Sequence, residues 1–170
     1  MPARIRQTCL FAAVALGLVV VFAGTTLAQG ASSTPTVVGV WRVSEVTYTG
    51  PNARTVTNPQ PGIQIFTHRY YSVSRVTSDA PRPDLPAQGA TDKQIAEAFA
   101  GFIGQSGTYE IKGNELTTRP IVAKGPPTMR PGTFFTNTFK LEGDTLWLVS
   151  KSDTSGPVAN PTTTKLTRLE

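Results

Sequence analysis

The sequence predicts an all-β fold: an eight-stranded antiparallel up-and-down barrel with one short α-helix. Three observations predict it. Eight short stretches rich in β-branched and aromatic residues follow one another after residue 37, separated by connections containing Gly, Pro and Asn. Only one stretch, 91–103, has helical spacing, so the strand–helix alternation that builds a parallel sheet is missing. Closing eight strands on themselves removes exposed edges and leaves an interior sized for side chains or one small ligand. A β-sandwich is the alternative arrangement of the same strands, and no internal repeat at a fixed period is visible.

Residues 1–28 read as a signal peptide. Arg4 and Arg6 supply a basic start, 9–23 is an apolar run, and Thr26-Leu27-Ala28 is a small-x-small cleavage site that leaves Gln29 first. The alternative is an uncleaved anchor helix. A span needs about 20 apolar residues, and this run has 15. No Cys follows the run to accept a lipid at the cleavage point. The expectation is a periplasmic or secreted protein with no stable membrane span after cleavage. Residues 29–36 are small and polar, a flexible spacer, and 37–170 form the barrel domain. Cys9 is the single cysteine and leaves with the leader, so neither a disulfide nor thiol chemistry is expected. The net charge of +5 falls by the two leader arginines to +3. The remaining basic residues are spread out and not interleaved with aromatics, which gives no support to nucleic-acid binding.

Taken in order, 37–49 is the first strand. Trp41 and Val43 share one face by period-2 alternation, whereas Val46 and Tyr48 are out of phase with them, so a bulge is expected near Ser44-Glu45. Residues 50–62 hold three prolines and two asparagines and read as loop. Strands at 63–66 and 70–76 flank a tight connection, Thr67-His68-Arg69; one long bent strand over 63–76 is the alternative. Residues 77–90 form a Pro-rich loop. The helix at 91–103 opens on a capping box, Thr91 with Gln94, and has Asp92 in its positive first turn. Its apolar stripe is Ile95, Phe99, Phe102 and Ile103, and Gly104 suits its end. A strand at 107–112 turns at Lys112-Gly113-Asn114 into one at 115–124, where Pro120 marks an edge or bulge. After a loop at 125–132, strands follow at 133–142, 145–151 and 162–169, joined by the turn Glu142-Gly143-Asp144 and a loop at 152–161.

Several stretches carry a resemblance. Gly39-Val40-Trp41 resembles the Gly-x-Trp motif that opens the first strand of lipocalins. Most of 37–169 further resembles the bacterial lipocalin-like domain family. The stretches involved are Pro61-Gly62-Ile63-Gln64-Ile65-Phe66-Thr67, Tyr71-Ser72, the helix, Ser106-Gly107-Thr108-Tyr109-Glu110, Gly113-Asn114-Glu115-Leu116-Thr117, Arg119-Pro120-Ile121-Val122-Ala123-Lys124 and Leu141-Glu142-Gly143-Asp144-Thr145-Leu146-Trp147-Leu148. The family often has an Asp-Gly-type turn, or a His near the tyrosine of the second hairpin, where this chain has His68-Arg69-Tyr70-Tyr71. The resemblance implies a barrel with an internal cavity, closed at one end by a plug of Gly39, Trp41 and, from the last strand, Arg168. It implies little about chemistry, and fold does not settle function.

For the interior, Val43, Ile65, Tyr71, Tyr109, Phe135, Asn137, Phe139 and Leu148 are expected to line the barrel and meet a small, mostly hydrophobic ligand. A cavity of about 300 Å³ or more would support that, and a barrel filled to its axis would count against it. Asn137, between Phe135 and Phe139, either meets ligand, holds a water or lies outside if the faces are reversed. Arg42, Arg75, Arg119 and Arg130 make an anion site only if they converge at one mouth. The helix is either a lid over the mouth or wall packing. No catalytic residue, cofactor or metal ligand set is expected: His68 is the lone His, and nucleophile-elbow and phosphate-loop motifs are missing. Two alternatives remain open: an isomerase- or cyclase-type enzyme using Tyr109, Glu110 or His68, which needs two of them to converge inside, and an envelope interaction or inhibitor module acting through the Pro-rich loops.

Overall fold

The computed structural model describes residues 36–170. The expected signal peptide and nearly all of the expected spacer lie outside the described residues. The first strand, β1 (Gly39–Tyr48), is followed by a short 3₁₀ turn and by β2 (Arg54–Thr57), β3 (Gly62–Phe66) and β4 (Tyr70–Val76). Helix α1 (Asp92–Ala100) precedes β5 (Phe102–Lys112), β6 (Glu115–Ala123), β7 (Phe135–Glu142), β8 (Thr145–Asp153), β9 (Gly156–Pro157) and β10 (Thr162–Arg168). Eight of these strands pair antiparallel in the order β1, β3, β4, β5, β6, β7, β8, β10, and β10 returns to β1, closing the barrel. Strands β2 and β9 are short flaps on β1 and β8. They lie in stretches whose prolines and asparagines read as loop.

The bulge expected in β1 is present: pairing with β10 slips between Val43 and Glu45. It puts Trp41, Val43 and Val46 all inside, each under 7% exposed. The bulge also changes the strand's partner. Residues before it pair with β3, and residues after it pair with β2. A second slip, opposite Gly107, leaves Ile121 of β6 unpaired beyond Pro120. Gly107 is needed there, because a Cβ would run into the Arg119 carbonyl and come within 2.8 Å of the Pro120 Cα. The core fills the closed half of the barrel. Trp41, Leu116, Leu146 and Leu166 are its most buried large side chains, supported by Phe66, Tyr71 and Leu148.

The helix is shorter than the sequence spacing suggests. The Thr91–Gln94 capping box forms as expected, but the helix ends at Ala100. Phe102 and Ile103 already belong to β5, where they alternate across the sheet instead of extending a helical stripe. Gly104 pairs with Ser74 and has no capping role. Nor is the apolar stripe the buried side: Ile95 and Phe99 are about half exposed, and Ala98 is buried where Arg82 donates to its carbonyl (3.2 Å). Lys124 caps the end of the helix, donating to the carbonyls of Phe99 and Phe102. No helix among the described residues is long and apolar enough to cross a membrane.

Candidate functional site

The first strand and the last meet at one end of the barrel. Trp41 pairs directly with Arg168, whose guanidinium lies 4.1 Å from the centre of the indole. Arg168 donates to the carbonyls of Thr36 (2.7 Å) and Val38 (2.8 Å), and the indole N–H donates to the Val37 carbonyl (2.7 Å). Stacking and donation together make the guanidinium a lid over a fully buried Trp. This end is shut, and the opposite end, where β4 finishes and β5 and β7 begin, is the mouth.

Above the core the interior is hollow. A cavity of about 170 Å³ is lined by Gln64 and Phe66 of β3, Tyr71, Val73 and Arg75 of β4, Ile103 and Gln105 of β5, and Leu116, Thr118, Phe135, Asn137, Leu148 and Thr164 of the remaining strands. That is below the size expected from the sequence, but the barrel is not filled to its axis. Ile103, Gln105 and Phe135 also border a second pocket of about 390 Å³ between β5, the end of β6 and the 3₁₀ turn Pro126–Met129. The cavity is therefore continuous in its lining with a vestibule at the mouth.

The side chains expected to line the barrel divide into three groups. Tyr71, Phe135, Asn137 and Leu148 border the cavity. Tyr109 and Phe139 point inward but pack against the closed-end core, and Val43 is buried beside a smaller pocket shared with Val46, Tyr48 and Arg75. Ile65 is misplaced: it faces outward, 37% exposed, paired with Val40 and Ser72. The reason is its neighbour. Phe66, the larger apolar side chain, takes the interior and packs edge-on against Tyr109 (5.2 Å between ring centres). Strand alternation then turns Gln64 inward and both isoleucines of β3 outward. The sequence reading missed Gln64 and Gln105 because amides in short apolar strands carry no sign of which face they take.

Two interior polar groups stand out. The Tyr71 hydroxyl is buried and makes no hydrogen bond of good geometry among the described residues. Burial pushes its pKa up to about 12, with Thr118 near enough to oppose this weakly. Arg75 lies at the mouth end of the same strand face and reaches across to the Thr164 hydroxyl (3.5 Å) on β10. Burial pulls its pKa down, and the neighbouring Tyr48 hydroxyl opposes the shift.

The acid/base arrangement weighed from the sequence does not form. Glu110 is on the outer face, where Arg119 and Lys112 hold its carboxyl below the usual range. His68 is exposed in the turn between β3 and β4. The Tyr109 hydroxyl donates to the Thr67 carbonyl (2.6 Å), and burial raises its pKa. The cavity lining contains no Asp, Glu or His. Among the described residues no group of three potential metal-binding side chains comes together. The arginines do not converge either: Arg42 and Arg130 are exposed, Arg119 pairs with Glu110, and Arg75 alone faces inward. A larger concavity, about 680 Å³, is an open groove on the outer wall beside Ile63, Phe102 and Leu169. Its polar lining is Arg42, Ser44, Asn58 and Ser74. No family model matches the chain, and no match was found among curated proteins.

Proposed function

We propose that this protein is a lipocalin-like binding protein that holds one small, mostly apolar molecule inside its barrel, in the periplasm or outside the cell. One observation carries the reading: a hollow lies between a plugged end and an open mouth, lined by Phe66, Val73, Leu116, Phe135 and Leu148 together with the polar side chains Gln64, Arg75, Gln105, Thr118, Asn137 and Thr164. That mixture is what a small-molecule site needs, because apolar burial supplies affinity and a few fixed polar groups supply orientation. A cavity of about 150 Å³ accommodates a molecule the size of benzene, so the ligand body is about one six-membered ring, with any extension lying in the vestibule. The signal-like leader at 1–28 and the ordered motif set from Gly39-Val40-Trp41 onward support the location and the family.

The experiment is extraction of small molecules from protein purified natively from its own host, with mass spectrometry, followed by calorimetric titration of each recovered compound. A compound present near one per chain that rebinds with micromolar or better affinity is the expected result. Recovery of nothing, together with no binding of toluene, indole or phenol at millimolar concentration, would overturn the proposal.

A further inference from the structure

The cavity contains one full charge and no counter-charge. Strand β4 presents Tyr71, Val73 and Arg75 to the interior at alternate positions, spanning about 13 Å. Directly opposite Arg75 stands Gly62. A Cβ there would come within 2.8 Å of both the Arg75 Cβ and the Val43 Cγ2, so the glycine clears the path by which the arginine stem enters the barrel. The guanidinium has five N–H donors, and its side-chain hydrogen-bonding partners among the described residues are two hydroxyls, those of Thr164 and Tyr48. It enters none of the ion pairs formed among the described residues. Asp79, which borders the small pocket above Arg75, is held by Arg54 (3.2 Å). Although burial disfavours its charge, an arginine stays protonated at neutral pH.

We infer that the ligand is a small monocarboxylic acid whose carboxylate docks on the Arg75 guanidinium, with its apolar body lying toward Leu116 and Leu148. This deepens, and rests on, the cavity-binding reading above. A partly desolvated cation on a neutral wall is costly, and an anion meeting it there offsets that cost. The planar fork of a guanidinium matches a carboxylate with two parallel hydrogen bonds. A single positive charge balances one negative charge, which favours a carboxylate over a phosphate dianion.

The test compares phenylacetate with phenylacetamide, a neutral molecule of nearly the same shape, by calorimetry on the wild-type chain and on Arg75→Met and Arg75→Lys. Circular dichroism establishes that each variant is folded. The acid is expected to bind about ten- to a hundredfold more tightly than the amide. In Arg75→Met this preference should collapse while the amide still binds, and Arg75→Lys should restore part of it. Equal affinity of acid and amide for the wild-type chain would overturn the carboxylate assignment and leave the cavity reading intact. If acid, amide and toluene all fail to bind, the cavity reading falls first and this inference falls with it.

Discussion

Arg168 holds three roles at once: it covers the Trp41 ring, ties down two carbonyls of the segment entering β1, and reaches the exposed Asp144 (3.3 Å). The last adds little, since an exposed ion pair is worth under about 1 kcal/mol. The first two are partly buried and directional. Arg168→Met is therefore expected to lower unfolding free energy by about 2–4 kcal/mol, read by urea denaturation, whereas Asp144→Asn should change it by less than about 1 kcal/mol. Tyr71 behaves in the opposite way. Its hydroxyl is buried without a good partner, so Tyr71→Phe is expected to be neutral or slightly stabilising at pH 7, within about 1 kcal/mol. Its pH dependence has a definite sign. The folded pKa of about 12 lies above the ordinary value of 10.0, so above pH 10 the unfolded chain loses this proton while the folded chain keeps it. Stability should fall as pH rises from about 10 to about 12, by up to about 2 kcal/mol, and Tyr71→Phe should remove that part of the fall. At this scale the plug was expected from the lipocalin resemblance that Gly39-Val40-Trp41 carries, and Trp41 and Arg168 do lie side by side. The inward turn of Gln64 was not, because Ile63 and Ile65 offer an equally apolar face and only the packing of Phe66 decides between them.

The elements follow their sequence signals where the signal is local. The hairpin at Gly113-Asn114, the β1 bulge and the N-cap of α1 all form from residues adjacent in the chain. The helix C-terminus does not follow its signal. Phe102 and Ile103 fit a helical stripe, yet pairing with Arg75 and Val76 of β4 draws them into β5. Backbone pairing with a strand about 27 residues away outweighs a spacing pattern that helix and strand share. Gly107 shows how closely β5 and β6 approach at their bulge. Gly107→Ala is expected to cost about 2–3 kcal/mol by forcing the Pro120 segment outward. Amide hydrogen exchange should show the loss concentrated in β5 and β6, while exchange spread evenly around the barrel would contradict this placement of strain.

For the whole molecule, the barrel was legible because eight strands without a strand–helix alternation leave few ways to avoid open edges. The cavity was not, because its size depends on how far each interior side chain reaches toward the axis, and one-residue alternation says nothing about reach. Under the proposed function the two ends have separate work: a plug that supports stability, and a mouth with a polar wall that would select the ligand. That division is tested most directly by mapping chemical shifts in a labelled protein titrated with phenylacetate or toluene. The expected perturbations are confined to Tyr71, Val73, Gln105, Leu116 and Leu148 around the cavity, with Trp147 and Ile65 on the outer wall unmoved. Perturbations centred instead on Ile63, Phe102 and Leu169 in the outer groove, or no perturbation at millimolar probe, would contradict an account in which the interior is the binding site.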